Sequence, residues 1–166
     1  MAQFRTKARA VELLGKGQIA DLPTAISELW KNGYDAYADQ LSCNLYLPGY
    51  KENQSPIFTL SDNGFGMSRQ DILNKWIVLG TDSKARGRSY LTDEERFKKK
   101  VRIPMGEKGI GRLSVAYLGS PMLMLTKKKE EKCQLLFIDW RILENYNLFI
   151  DDINVPLAEF SSANEF

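Results

Sequence analysis

Glu28, Asn32 and Asp35 stand at i, i+4 and i+7 of a segment that opens at Pro23. At about 100° per residue a helix confines them to a stripe roughly 60° wide. Apolar residues occupy the other side: Ile26, Leu29, Trp30, Gly33, Tyr34 and Tyr37 follow i, i+3, i+4, i+7, i+8 and i+11. A polar stripe opposite an apolar one presents its groups either to a ligand or simply to water. The choice between these rests on what accompanies it.

Two further constellations do. Asp62-Asn63-Gly64-Phe65-Gly66-Met67 follows a strand-like run and sets an acid in a glycine-permissive turn, where backbone can approach a flat ligand closely. A buried aspartate only accepts hydrogen bonds, so it suits the exocyclic amine of adenine and not the carbonyl of guanine; the plain alternative is a turn with a solvated acid. Gly106-Glu107-Lys108-Gly109-Ile110-Gly111 leads into a helical pattern. Glycines ahead of a helix N-terminus present N–H groups and a positive dipole end, which suits phosphate. Gly106 and Gly111 have Walker A separation, but Arg112 and Leu113 replace its Lys and Ser/Thr. A dinucleotide fingerprint fails too, because the glycines follow a basic loop rather than a strand.

The elements that must position these groups are legible from periodicity. Phe4, Ala8, Val11 and Leu14 predict a short amphipathic helix stopped by Gly15 and Gly17. A longer helix runs from Pro23 to about Asp39. Leu41 to Leu47 and residues 56–61 alternate as a pair of strands, the second entering the Asp62 turn. Ser68 and Asp71 resemble the cap of a helix carrying Ile72, Trp76 and Leu79 up to Gly80. Residues 81–108 hold nine Lys/Arg (84, 86, 88, 96, 98, 99, 100, 102, 108) against five acids (82, 93, 94, 95, 107), with one short helix expected after the Thr92–Glu95 capping box. A helix from Gly111 to Gly119 and a hairpin of residues 122–126 and 133–140 complete the pattern, with Lys127 to Lys129 at its turn read as solubilising.

Composition bounds the reading. The chain is 43% hydrophobic and 27% charged, globular in character, with no apolar run long enough to span a bilayer. The N-terminus lacks the apolar core of a signal peptide, so a cytoplasmic location is expected. The absence of histidine excludes a Ser/His/Asp triad, a His-ligated zinc and a phosphorylated histidine within these residues. Cys43 and Cys133 fall in strand-like runs and read as reduced thiols.

Taken together, the ordered motifs E-x-x-x-N-x-x-D-A (Glu28 to Ala36), D-x-G-x-G (Asp62 to Gly66) and G-x-x-G-x-G (Gly106 to Gly111) resemble the GHKL superfamily of gyrase, heat-shock-protein-90 chaperones, histidine kinases and MutL. The resemblance covers roughly residues 8–140. Trp76 with Leu79-Gly80-Thr81-Asp82-Ser83-Lys84 looks most like the chaperone, MutL and microrchidia branch. It implies a single α/β domain over residues 1–166, a two-layer sandwich of the Bergerat type with helices on one face of a mixed sheet, and a mobile ATP lid at about 81–111. It also implies Mg2+ at Asn32, a water oriented or deprotonated by Glu28, and adenine read by Asp62 in the Gly64 and Gly66 turn with Met67 against the base. Asp35 and Ala36 would lie beside the adenine pocket, Gly106, Gly109, Ile110 and Gly111 would close over the phosphates, and Lys84 and Lys108 would neutralise them.

The family's later strand carries a Gly-Thr pair, and none follows Thr126. A fragment cut short on its C-terminal side is therefore expected, binding ATP but turning it over slowly without a transducer or effector domain and a nucleotide-dependent dimer. Nucleic acid or a protein would be a client of the whole protein; no membrane partner is expected. The alternatives are a histidine-kinase-type catalytic domain and, in a different class, a basic module binding nucleic acid or a partner without catalysis.

Overall fold

The computed structural model describes residues 3–15, 17, 19–79, 91–106 and 111–161. Helix α1 spans Ala8–Gly15 and buries Ala8 and Val11. Helix α2 spans Leu22–Asp35. Its start obeys the sequence: the Asp21 side chain accepts from Thr24 N–H at 2.8 Å, and Pro23 occupies the first turn. That hydrogen bond also holds the Asp21 carboxyl below its ordinary pKa.

Helix α2 ends four residues before the expected Asp39. Tyr37 adopts φ 60°, its N–H donates to Tyr34 O (3.0 Å), and Ala38 N–H reaches back to Gly33 O (3.0 Å). This is a Schellman closure with tyrosine in the left-handed position usually given to glycine. Local strain there is of the order of 1–2 kcal/mol, and it is offset by burial, since Tyr37 is 2% exposed.

Strands β1 (Leu41–Tyr46) and β2 (Ile57–Asp62) pair antiparallel, with Leu41 opposite Asp62 and Leu45 opposite Phe58. Helix α3 (Arg69–Asp71) carries the anticipated Ser68/Asp71 capping box, then runs into a π-helical turn, Ile72–Trp76. A 3-10 turn (Gly111–Ser114) leads into α4 (Val115–Leu118), which stops before Gly119 as its sequence suggests. Strands β3 (Pro121–Lys127), β4 (Cys133–Asp139) and β5 (Leu157–Phe160) form an antiparallel sheet in the order β3-β4-β5.

The α/β class and two-layer packing hold. Met122, Leu136 and Ile138 meet Ala8, Val11, Ile72, Leu113, Trp140 and Leu143 in one core, while Leu123, Leu125 and Phe137 face outward. The sheet expected as mixed is instead antiparallel among the described residues, in two sets. The short helix expected after Thr92 is also corrected. Its capping box forms, with Thr92 N–H on Glu95 Oε2 (3.0 Å) and Glu95 N–H on Thr92 Oγ1 (3.2 Å), but Phe97 and Lys98 take φ 54° and 56° and turn the chain out after one loop. Both cysteines are free thiols. Among the described residues no helix is long and apolar enough to cross a membrane.

Candidate functional site

Helix α2 is the axis of the site. Glu28, Asn32 and Asp35 lie on it as spaced, and the structure draws parts of both other motifs to it. A Cβ placed on Gly111 would lie 2.8 Å from Glu28 Oε2, so the last glycine of the third motif rests against the first acid of the first. Lys31 Nζ donates to the other oxygen, Glu28 Oε1, at 2.6 Å. Two turns along, the Asp35 carboxylate accepts from Met105 N–H (2.8 Å) and Gly106 N–H (3.3 Å). The two ends of the glycine motif therefore face two carboxylates of one helix. Lys84, Lys108, Gly109 and Ile110 lie outside the described residues.

The aspartate turn reaches the same helix from β2. At Gly33 a Cβ would meet Leu41 Cδ2 at 2.4 Å and Asp62 Cβ at 3.4 Å, so a bare helix surface is needed where α2 crosses the strand ends. Phe65 N–H donates to Ala36 O (3.0 Å), and a Cβ on Gly64 would lie 2.7 Å from both Ala36 Cβ and Ala36 O. Asp62 itself is exposed rather than buried, and its Oδ1 accepts from Gly64 N–H at 2.8 Å. An open cleft of about 190 Å³ beside it, lined by Gln40, Ser42, Ser61, Asp62 and Asn63, lies on the polar side of the β1-β2 pair. It is smaller than ordinary ligand pockets and has no lining residue from α2, so the shared face of α2 is the better candidate site.

Several supporting residues are invisible to motif reading. Asn63 Oδ1 accepts from the N–H groups of Asp39 and Gln40, both at 2.9 Å, joining the exit of α2 to the turn. Thr126 Oγ1, at the end of β3, accepts from Met67 N–H at 2.9 Å. Met67 packs against the hydrophobic core. Gly66 combines φ 68° with a close approach, because a Cβ there would sit 2.1 Å from Lys127 O. Asn in Asp-Asn-Gly is the one local signal among these; the Thr126 contact spans 59 residues.

Charges around the site are mostly structural. Arg112, next to Gly111, donates to the carbonyls of Lys75 and Trp76 at the end of the π-helical turn, and burial pushes its pKa down. Partial burial works to raise the Asp71 pKa, but hydrogen bonds from Lys75 and Ser68 outweigh it and hold the carboxyl at about 2. Lys128, in the β3-β4 turn, bridges Glu95 (3.0 Å) and Asp71 (4.0 Å), a structural role beyond solubility. Its pKa is raised, chiefly by the Glu95 hydrogen bond. Arg102, from the basic segment, is turned onto the last turn of α2, and Lys99 onto Tyr37 just beyond it.

Comparison with known proteins assigns the chain to a family. Residues 20–165 match the family model described as histidine kinase-, DNA gyrase B-, and HSP90-like ATPase. The chain is also similar to the chaperone protein HtpG of Helicobacter pylori strain HPAG1, 32% identical over 77 residues, which is 46% of this chain and 12% of the chaperone. HtpG of strain J99 gives the same identity over the same length. The chain thus spans a small part of the curated relatives it matches. The match over residues 20–165 takes in every motif gathered on α2, and the chain belongs to the histidine kinase-, DNA gyrase B- and HSP90-like ATPase family.

Proposed function

We propose that the chain binds Mg-ATP along the polar face of α2 and acts as an ATP-driven conformational switch, hydrolysing ATP when a following transducer or effector region and a second copy complete the site. One observation carries this reading. Gly111 lies on Glu28, Gly106 on Asp35 and Gly64 on Ala36, so three motifs separated in sequence share one helix. In this reading Asp62 accepts from the adenine amine, and the glycine motif carries the phosphate contacts.

The donor set fits magnesium. Mg2+ takes hard oxygen ligands and keeps several waters alongside substrate phosphates. In this reading Mg2+ would be held by the Asn32 amide oxygen together with phosphate oxygens and water. Bound there, the ion would supply positive charge to the phosphates. In hydrolysis a water oxygen bonds to the γ-phosphorus, the bond to the β,γ-bridging oxygen breaks, and ADP leaves. Glu28 takes the water's proton: Lys31 holds Oε1, and Oε2 faces Gly111. Lys84 and Lys108 add positive charge in this reading.

Calorimetric titration with ATP and GTP, each with magnesium, tests the proposal. ATP binds and GTP does not; Asp62→Asn abolishes binding, and Asn32→Ala removes its magnesium dependence. Binding of GTP as tightly as ATP would refute the assignment of Asp62. Turnover by these residues alone stays below about 1 per second, the low end of common enzyme rates.

A further inference from the structure

The stretch leading into the glycine motif is tied to α2 by polar contacts rather than by burial. Lys99 Nζ donates to Tyr37 O (2.7 Å) and Asp39 Oδ2 (2.6 Å). Arg102 Nη1 donates to Tyr34 O (2.9 Å) and Ala38 O (3.1 Å), and its guanidinium carbon lies 4.7 Å from the centre of the Tyr34 ring. The backbone N–H of Arg102 donates to Tyr37 Oη at 3.0 Å. Three and four residues on, Met105 and Gly106 reach Asp35. Both cations sit at the C-terminal exit of α2, the negative end of the helix dipole, Arg102 on the last turn and Lys99 on the residues just beyond it.

The outward side of this strap is apolar: Val101, Ile103 and Met105 are 64%, 82% and 51% exposed. Hydrophobic burial would have turned that side inward, so polar contacts, those of the Lys99 and Arg102 side chains among them, hold the strap in place. Gly106 lies four positions on from Arg102, a reach of at most about 14 Å. Freeing Arg102 therefore loosens the point at which the glycine motif starts.

We infer that Lys99 and Arg102 are positioning residues for Gly106, the first residue of the glycine motif, setting affinity for the triphosphate while leaving base recognition at Asp62 unchanged. The inference rests on the nucleotide-binding reading above. Neither residue touches nucleotide in that reading; both act through the seating of the strap that leads to Gly106.

Calorimetry with Mg-ATP and with adenosine on wild type, Arg102→Met and Lys99→Met tests it, with thermal melts confirming that each variant is folded. Mg-ATP binding weakens roughly tenfold in each variant, the scale of one charge-assisted contact, while adenosine binding stays within about twofold. Unchanged Mg-ATP affinity in folded variants, or equal loss for both ligands, would overturn the inference. If Arg102→Met does not fold, the Lys99→Met comparison decides between the same outcomes. A wild type that binds no ATP, or Asp62→Asn binding ATP normally, would instead count against the nucleotide-binding reading itself.

Discussion

Gly66→Ala and Gly49→Ala form a matched pair that isolates the cost of crowding at the aspartate turn. Both glycines have positive φ, 68° and 94°. At Gly49 an added Cβ meets nothing within 4 Å, so the substitution carries only the left-handed penalty, about 1–2 kcal/mol. At Gly66 the same atom would lie 2.1 Å from Lys127 O and 2.6 Å from Lys127 C, both backbone, with Lys128 N at 3.2 Å. No side-chain rotation relieves that contact; the turn must move from β3, at an overpacking cost of about 1–3 kcal/mol more. The total is about 2–5 kcal/mol, a large fraction of an ordinary domain's stability. Urea denaturation of both variants measures the difference, with the midpoint shift multiplied by a common slope. Gly66→Ala should exceed Gly49→Ala by about 2 kcal/mol and should also weaken ATP binding, because Asp62 shares the displaced turn. Equal losses would show that the turn does not rest on the β3-β4 connection, and would remove the reasoning about Gly66.

Thr126→Val should cost about 1–2 kcal/mol by leaving Met67 N–H without its acceptor, and Thr126→Ser should recover most of it; a loss under about 0.5 kcal/mol in urea melts would refute the contact's importance. Asp71 has a folded pKa of about 2 against an unfolded value near 3.9, so its contribution is fully present above about pH 4 and is lost as pH falls toward 2. After allowance for solvent screening it is worth about 1 kcal/mol. The stability gap between wild type and Asp71→Asn should therefore be constant from pH 7 to about 5 and shrink below about 4; a gap that widens on acidification would reverse the assignment.

Local patterns already specify much of this chain. The capping groups Asp21, Ser68 and Thr92 all make the hydrogen bonds their types suggest. Helix α2, the β1-β2 pair and the β3-β4 hairpin lie where periodicity places them. Errors arise where distant groups override local preference. The Thr92 segment caps correctly but leaves the helical path at Phe97 and Lys98, with Arg102 seated on the last turn of α2 and Lys99 just beyond it. Tyr37 ends α2 early while its hydroxyl accepts from Arg102, 65 residues away. Strand β5 has four residues and no alternation of its own, and pairing with β4 supplies its hydrogen bonds.

By itself the sequence determined the α/β class, the order of elements up to the β3-β4 hairpin apart from the helix expected after Thr92, and the three motifs, because spacing along a helix or strand fixes which side chains share a face. It did not contain the meeting of those motifs. That Gly106 lies on Asp35, Gly111 on Glu28 and Thr126 on Met67 was decided by tertiary structure alone, because contacts between residues 59 to 83 apart arise from packing of whole elements and leave no periodic trace in the chain.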